Sequence, residues 1–82
     1  MSDTEFSKHA KHMLLKRRIL EEWVWRVLDT PDRKRRGDDN NMHYTKVIRE
    51  NDGRVLHIVV NTDVQPHLIV TLFFDRRAGK KK

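Results

Sequence analysis

MHYTKVIRENDGRVLHIVVN, residues 42–61, decides the architecture. Met42 to Glu50 alternates along its length and reads as a strand; Arg54 to Asn61 reads as its partner. Asn51-Asp52-Gly53 between them is a strong hairpin signal. A three-residue loop with Gly53 in the left-handed region pairs Glu50 with Arg54. That register puts Tyr44 and Ile48 beside Leu56, Ile58 and Val60 on a core face. Lys46 is the misfit on this face and is expected to reach out to solvent. His57 joins Thr45, Val47 and Arg49 on the other face. A two-residue Asp-Gly turn shifts the partners by one, and both registers stay open.

Downstream, Thr62 to His67 is a second connection with Gln65-Pro66 at its turn. LIVTLFFDR (68–76) follows as a third strand, apolar on both faces and so expected to be internal or well covered. Upstream the period is helical. Phe6, Ala10, Met13, Leu14 and Arg17 form one stripe of a first helix running from Ser7, its N-cap, to about Arg17. Ile19, Leu20, Trp23, Val24, Val27 and Leu28 form the buried stripe of a second, from about Leu20 to Asp29, stopped at Thr30-Pro31. DRKRRGDDNN (32–41) reads as a charged loop, long enough to suggest mobility or function. The expected fold class is α+β: two N-terminal helices followed by a three-stranded antiparallel meander sheet. Residues 1–6 are expected to be frayed or to add a short edge strand at Glu5-Phe6. Residues 7–77 form a single domain, and 78–82 a disordered basic tail.

Eighty-two residues make one domain. Such a chain buries roughly 60–65% of its unfolded surface and has a stability on the order of 5 kcal/mol. That leaves little core for a deep pocket, and no cofactor is expected. There is no cysteine, hence no disulfide framework or thiolate metal site. MSDTEF carries two acids and no apolar run, unlike a signal peptide. No segment approaches the length of a membrane span. The expected location is the cytoplasm.

The net charge of +6 is unevenly placed. Without the five bases from Arg76 to Lys82, thirteen bases remain against twelve acids. Lys8 to Arg18 holds five bases, and Arg33, Lys34, Arg35 and Arg36 are consecutive. Such clusters attract polyanions, RNA or DNA first. The plainer reading is that they are solvated faces and a solubilising tail.

His9-Ala10, Arg17 eight positions after the His, Ile19, the Val24 to Leu28 helix, Thr30-Pro31, the extended hairpin and Thr71 in the final apolar strand resemble domain of unknown function family 4258, over about residues 6–77. Three positions depart from the family's pattern. Met13 stands where Arg is frequent, which weakens a basic site on the first helix. Arg18 replaces the usual Gly and Leu20 the usual capping Ser, which suggests a tighter or more continuous join between the helices. The family's architecture is similar to that of small RelE-like toxins, which cut RNA. This likeness is one of fold, and fold alone does not set function.

The resemblance and the residue types together nominate His9 as a proton-transfer group. Arg17, roughly 12 Å further along the helix axis, would stabilise phosphate charge. The alternative is that His9 bonds backbone near the helix start and packs on the last strand. His57, with Arg49 and Lys46 in the same hairpin, is a second catalytic candidate, although alternation puts Lys46 and His57 on opposite faces. Tyr44, Thr71 and Arg76 are candidates to support it, or else ordinary strand and surface residues. Lys11, Lys16, Arg18, Arg33, Lys34, Arg35, Arg36, Arg76 and Arg77 are the expected nucleic-acid contacts. His9 and His12 lack the HExxH spacing, the remaining histidines look dispersed, and no metal site is expected. Trp25 falls beside Glu21 and Glu22 on the outer side of its helix, where it invites a partner unless a loop covers it. The expected function is RNA binding, with toxin-like endoribonuclease activity as the finer expectation and catalysis left open. The alternative is a non-catalytic interaction module or homodimer using Trp25 and the sheet edge. Expected partners are RNA or the ribosome, an antitoxin-like protein or a second copy, and no membrane.

Overall fold

A computed structural model describes residues 4–75. Arg76, Arg77 and the basic tail lie outside the described residues. The chain runs β1 (Thr4–Phe6), α1 (Lys8–Lys16), α2 (Glu21–Asp29), β2 (Arg33–Arg36), β3 (Met42–Ile48), a 3-10 turn (Arg49–Asn51), β4 (Arg54–Asn61) and β5 (His67–Asp75). The strands form one mixed sheet in the order β1-β5-β4-β3-β2, with β1 parallel to β5 and the other pairs antiparallel. The expected three-stranded meander is therefore wrong in strand number and in polarity. Its three strands are the middle of a five-stranded sheet.

The two extra strands have separate causes. RKRR, read as loop, pairs with β3 from Arg33 opposite Thr45 to Arg36 opposite Met42. All four of its residues are exposed, so no apolar alternation betrays it. Backbone pairing holds the strand, and the basic side chains suit a sheet edge. The connection from β2 to β3 is thus a short turn around Gly37 and Asn40, not a long loop: the Gly37 N–H donates to the Asn41 carbonyl at 2.9 Å. At the other edge, Thr4 to Phe6 runs beside His67 to Ile69.

The hairpin also differs from its expected register. Ile48, not Glu50, pairs with Arg54. Arg49 to Asn51 wind into a 3-10 turn, and Asp52 (φ 59°) and Gly53 (φ 70°) close it in the left-handed region. The slip is two residues, so every side chain keeps its face. Leu56, Ile58 and Val60 pack with Ile48, Ile69 and Leu72 against Ala10, Ile19, Trp23, Val24 and Val27 of the helical layer. Lys46 shares that side but does not reach out to solvent. Its ammonium donates to the Thr30 carbonyl at 2.8 Å, at the electronegative end of α2, and lies 3.5 Å from Asp32.

Ser7 caps α1 and ties it to the sheet. Its Oγ accepts from the Ala10 N–H at 3.0 Å and donates to the Val70 carbonyl at 3.2 Å. The other end of α1 closes in a Schellman motif: the Ile19 N–H donates to the Leu14 carbonyl at 2.9 Å and the Arg18 N–H to the Leu15 carbonyl at 3.2 Å. Arg18 sits at φ 54° to make this turn. The join between the helices is thus a break and not a continuous segment. Leu20 then occupies the N-cap of α2 with no side-chain hydrogen bond, and is 53% exposed.

Both positions carry a residue that their backbone does not favour. Arg18→Gly relieves the left-handed penalty, and Leu20→Ser supplies the missing cap; each is expected to stabilise the domain by about 1 kcal/mol. Thermal unfolding should show each midpoint raised by roughly 4–8 °C. An unchanged or lowered midpoint for Arg18→Gly would contradict the strain assigned to that turn.

Candidate functional site

β4 alternates, so what it does not send to the helices it sends to the opposite side. Val55, His57 and Val59 face away from the helical layer, as do Thr45 and His43 of β3 and Arg33 and Arg35 of β2, their cross-strand partners. No described helix packs on this side. A cleft of about 400 Å³ opens there, lined by Arg33, Arg35, His43, Thr45, His57 and Asp75 among others.

The cleft holds a chain of titratable groups. His43 Nδ1 and His57 Nε2 are 2.8 Å apart. His43 Nε2 lies 3.1 Å from Asp39, and His57 Nδ1, buried, lies 3.7 Å from Asp75. The His57 ring stacks on Phe73 at 4.8 Å. Gly37 makes room for this arrangement: a Cβ there would fall 2.5 Å from His43 Nε2 and 2.9 Å from the Asp39 carboxylate.

The hydrogen-bonding inventory restricts the protons. The Asn41 N–H, and then His43, hold the Asp39 carboxyl down at about 2, so it is an acceptor. His43 Nε2 therefore carries a proton. Burial, and then the neighbouring His43, push His57 below the ordinary imidazole range, against the pull of Asp75. The 2.8 Å contact between His43 Nδ1 and His57 Nε2 needs a proton on one nitrogen and a lone pair on the other, and the tautomers decide which ring donates. The shared bond thus contains one donor and one acceptor imidazole side by side.

The proposed catalytic residues are not brought together. His9 on α1 and Arg17 at its C-cap are exposed, and α1 packs against the helical side of the sheet, while His57 opens on the other. Lys11, Lys16 and Arg18 are exposed on or just beyond α1, far from the cleft in the layer order. Of the β2 bases, Arg33 and Arg35 reach the open side. Lys34 sits 5.8 Å from the Tyr44 ring centre, and Arg36 donates to the Asn40 carbonyl at 3.0 Å. Trp25 is half-buried: its indole N–H donates to Glu21 at 3.1 Å, and its ring meets Phe6 of β1 edge-on at 5.4 Å. Arg49 lies in the turn after β3, and Thr71 is on the open side opposite Val59. His43 is the functional candidate that sequence reasoning missed. The signal was present, since His43 has the parity of Thr45 and hence shares the face of His57. Among the described residues no group of three or more metal-ligating side chains converges, and no helix is long and apolar enough to cross a membrane.

The fold and the cleft define a small α+β domain with helices on one side of its sheet and an open, imidazole-bearing surface on the other. The chain belongs to the family described as Domain of unknown function (DUF4258), whose model matches residues 6–74. No curated protein and no solved structure gives a match.

The lowered His57 pKa fixes a sign. The unfolded chain takes up a proton below about pH 6.5 that the folded chain resists, so this contribution is complete above that pH and lost as pH falls toward the folded value. Unfolding midpoints measured between about pH 7 and pH 5 should fall for the wild type and fall less for His57→Gln. A second loss, from Asp39, belongs below about pH 4 and should persist in His57→Gln. Gly37→Ala is expected to displace the His43 ring from Asp39, seen as a shifted imidazole NMR resonance with the fold retained.

Proposed function

We propose that this domain binds RNA on the open side of its sheet and that the His43–His57 pair is a site for cleaving the RNA backbone. The observation that supports this reading most is the placement of two imidazoles, already sharing a donor and an acceptor, in a cleft bordered by Arg33 and Arg35. A backbone phosphate entering the cleft would part the pair. His57 Nε2 would then take the proton of the ribose 2′-hydroxyl as its oxygen attacks phosphorus. The bond from phosphorus to the 5′-oxygen breaks, and His43 Nδ1–H protonates that oxygen. Arg33 and Arg35 would offset the charge that grows on the phosphoryl oxygens. The products are a 2′,3′-cyclic phosphate and a 5′-hydroxyl, with no outside reagent. The RelE-like reading of the fold points to the same class of reaction by analogy only. The roles first given to His9 and Arg17 pass to His43 and Arg35 in this account, because α1 lies across the sheet from the cleft.

A protein partner is the second reading, favoured by the exposed Leu15 (77%) and Leu20 (53%) near the join of the two helices. In that reading Trp25, half-buried against Phe6, does not present a free ring.

Cellular RNA incubated with the folded protein, with and without ribosomes, should acquire new 5′-hydroxyl ends. His57→Ala and His43→Ala should each lower their rate by about 100-fold to 10,000-fold, the range for loss of a general acid or base. His9→Ala should leave it unchanged. No new ends under either condition would remove the cleavage reading, and ends lost in His9→Ala but kept in His57→Ala would move the chemistry to α1.

A further inference from the structure

The open side of the sheet has a row structure. Arg33 is opposite Thr45, Thr45 opposite His57, and His57 opposite Phe73, so one line crosses four strands from a cation to an aromatic ring. Strands lie about 4.8 Å apart, which sets Arg33 and Phe73 about 14 Å apart at the backbone, with the imidazoles between. The neighbouring row runs Arg35, His43, Val59, Thr71. Phe73 is half-buried, and its ring lies nearly parallel to His57, at 24°. β1 borders β5 only from His67 to Ile69, so among the described residues no strand flanks Phe73 on its outer side. An aromatic ring here adds nothing to the core on the other face of the sheet, whose members include Leu72 and, packed against it, Phe74.

We infer that the RNA taken by this face is single-stranded, with one nucleobase stacked on Phe73 while the adjoining backbone phosphate occupies the cleft between His57 and the arginines. The inference rests on the RNA reading above and deepens it. A base inside a duplex is stacked on its neighbours and has no free face to offer, whereas an unpaired base does. Stacking uses the ring face common to all bases, so the site tolerates many sequences. Asp39 and Asp75 repel a phosphate toward Arg33 and Arg35, while Asp32, which also lines the cleft, is engaged by Lys46 at 3.5 Å and by the Val47 N–H at 2.9 Å. Lys34 and Arg36 point to the other side of β2 and contribute to the long-range attraction only.

The test uses the full chain, a short fluorescent RNA oligonucleotide carrying 2-aminopurine, and the same oligonucleotide annealed to its complement. Wild type should bind the single strand more tightly than the duplex and quench the 2-aminopurine. Phe73→Leu should weaken single-strand binding by about 5-fold to 150-fold, the value of one stacked base, and abolish the quench. Its salt dependence should stay that of wild type. Phe73→Tyr, which keeps the ring, should retain both. Arg33→Gln should keep the quench at saturation and make the salt dependence shallower by about 0.7. Equal affinity for duplex and single strand, or full affinity and quench in Phe73→Leu, overturns the stacking inference while leaving RNA binding in place. Failure of wild type to bind either RNA overturns both. If Phe73→Leu does not fold, the quench by wild type and by Phe73→Tyr decides the matter.

Discussion

β4 is bordered on both edges and used on both faces. Its even-numbered residues Leu56, Ile58 and Val60 form the floor on which α1 and α2 pack, and its odd-numbered residues Val55, His57 and Val59 form the centre of the opposite surface. Burial of the first set fixes the second, because a strand cannot turn one side chain inward without turning the next outward. The imidazole of His57 is thus held by apolar packing on the far side of its own backbone. Phe73 and His43 inherit their positions from the same ladder.

Electrostatic ties reinforce this frame at its margins. Arg26 of α2 grips Glu50 with both ends of its guanidinium, at 2.9 and 3.0 Å, and so anchors the helix to the turn after β3. Lys46 ties the same strand to the end of α2 through Thr30. Exposed pairs of this kind add little stability, but they set direction. They hold down the end of β3, where Lys46 and Val47 also border the cleft.

Much of the architecture was legible in the sequence, because helix and strand periods, caps and the Asn-Asp-Gly turn act locally. Ser7 caps as its chemistry requires, and the faces of β3 and β4 follow from alternation alone. The two-residue slip at Arg49 to Asn51 was not legible, since a charged turn can be accommodated in several lengths. β2 was hidden for a related reason. An exposed edge strand has no apolar pattern, and its pairing resides in backbone groups that every sequence carries. The site was half legible. His57 drew notice, while His43 did not, because fourteen residues of sequence separate two rings that the ladder brings into contact. Basic residues on α1 drew more notice than they contribute to the cleft, since charge along a sequence does not say on which side of a sheet it lands.

The run Arg33 to Arg36 has one more consequence, for life at high concentration. An exposed edge offers unpaired backbone groups to any passing strand, and in most proteins that invites self-association. Here two copies meeting edge to edge along β2 would set one four-residue basic run directly against another. Like charges at that spacing repel, whereas an acidic or anionic visitor is welcomed. The basic side chains of that edge thereby discourage the domain from polymerising through it.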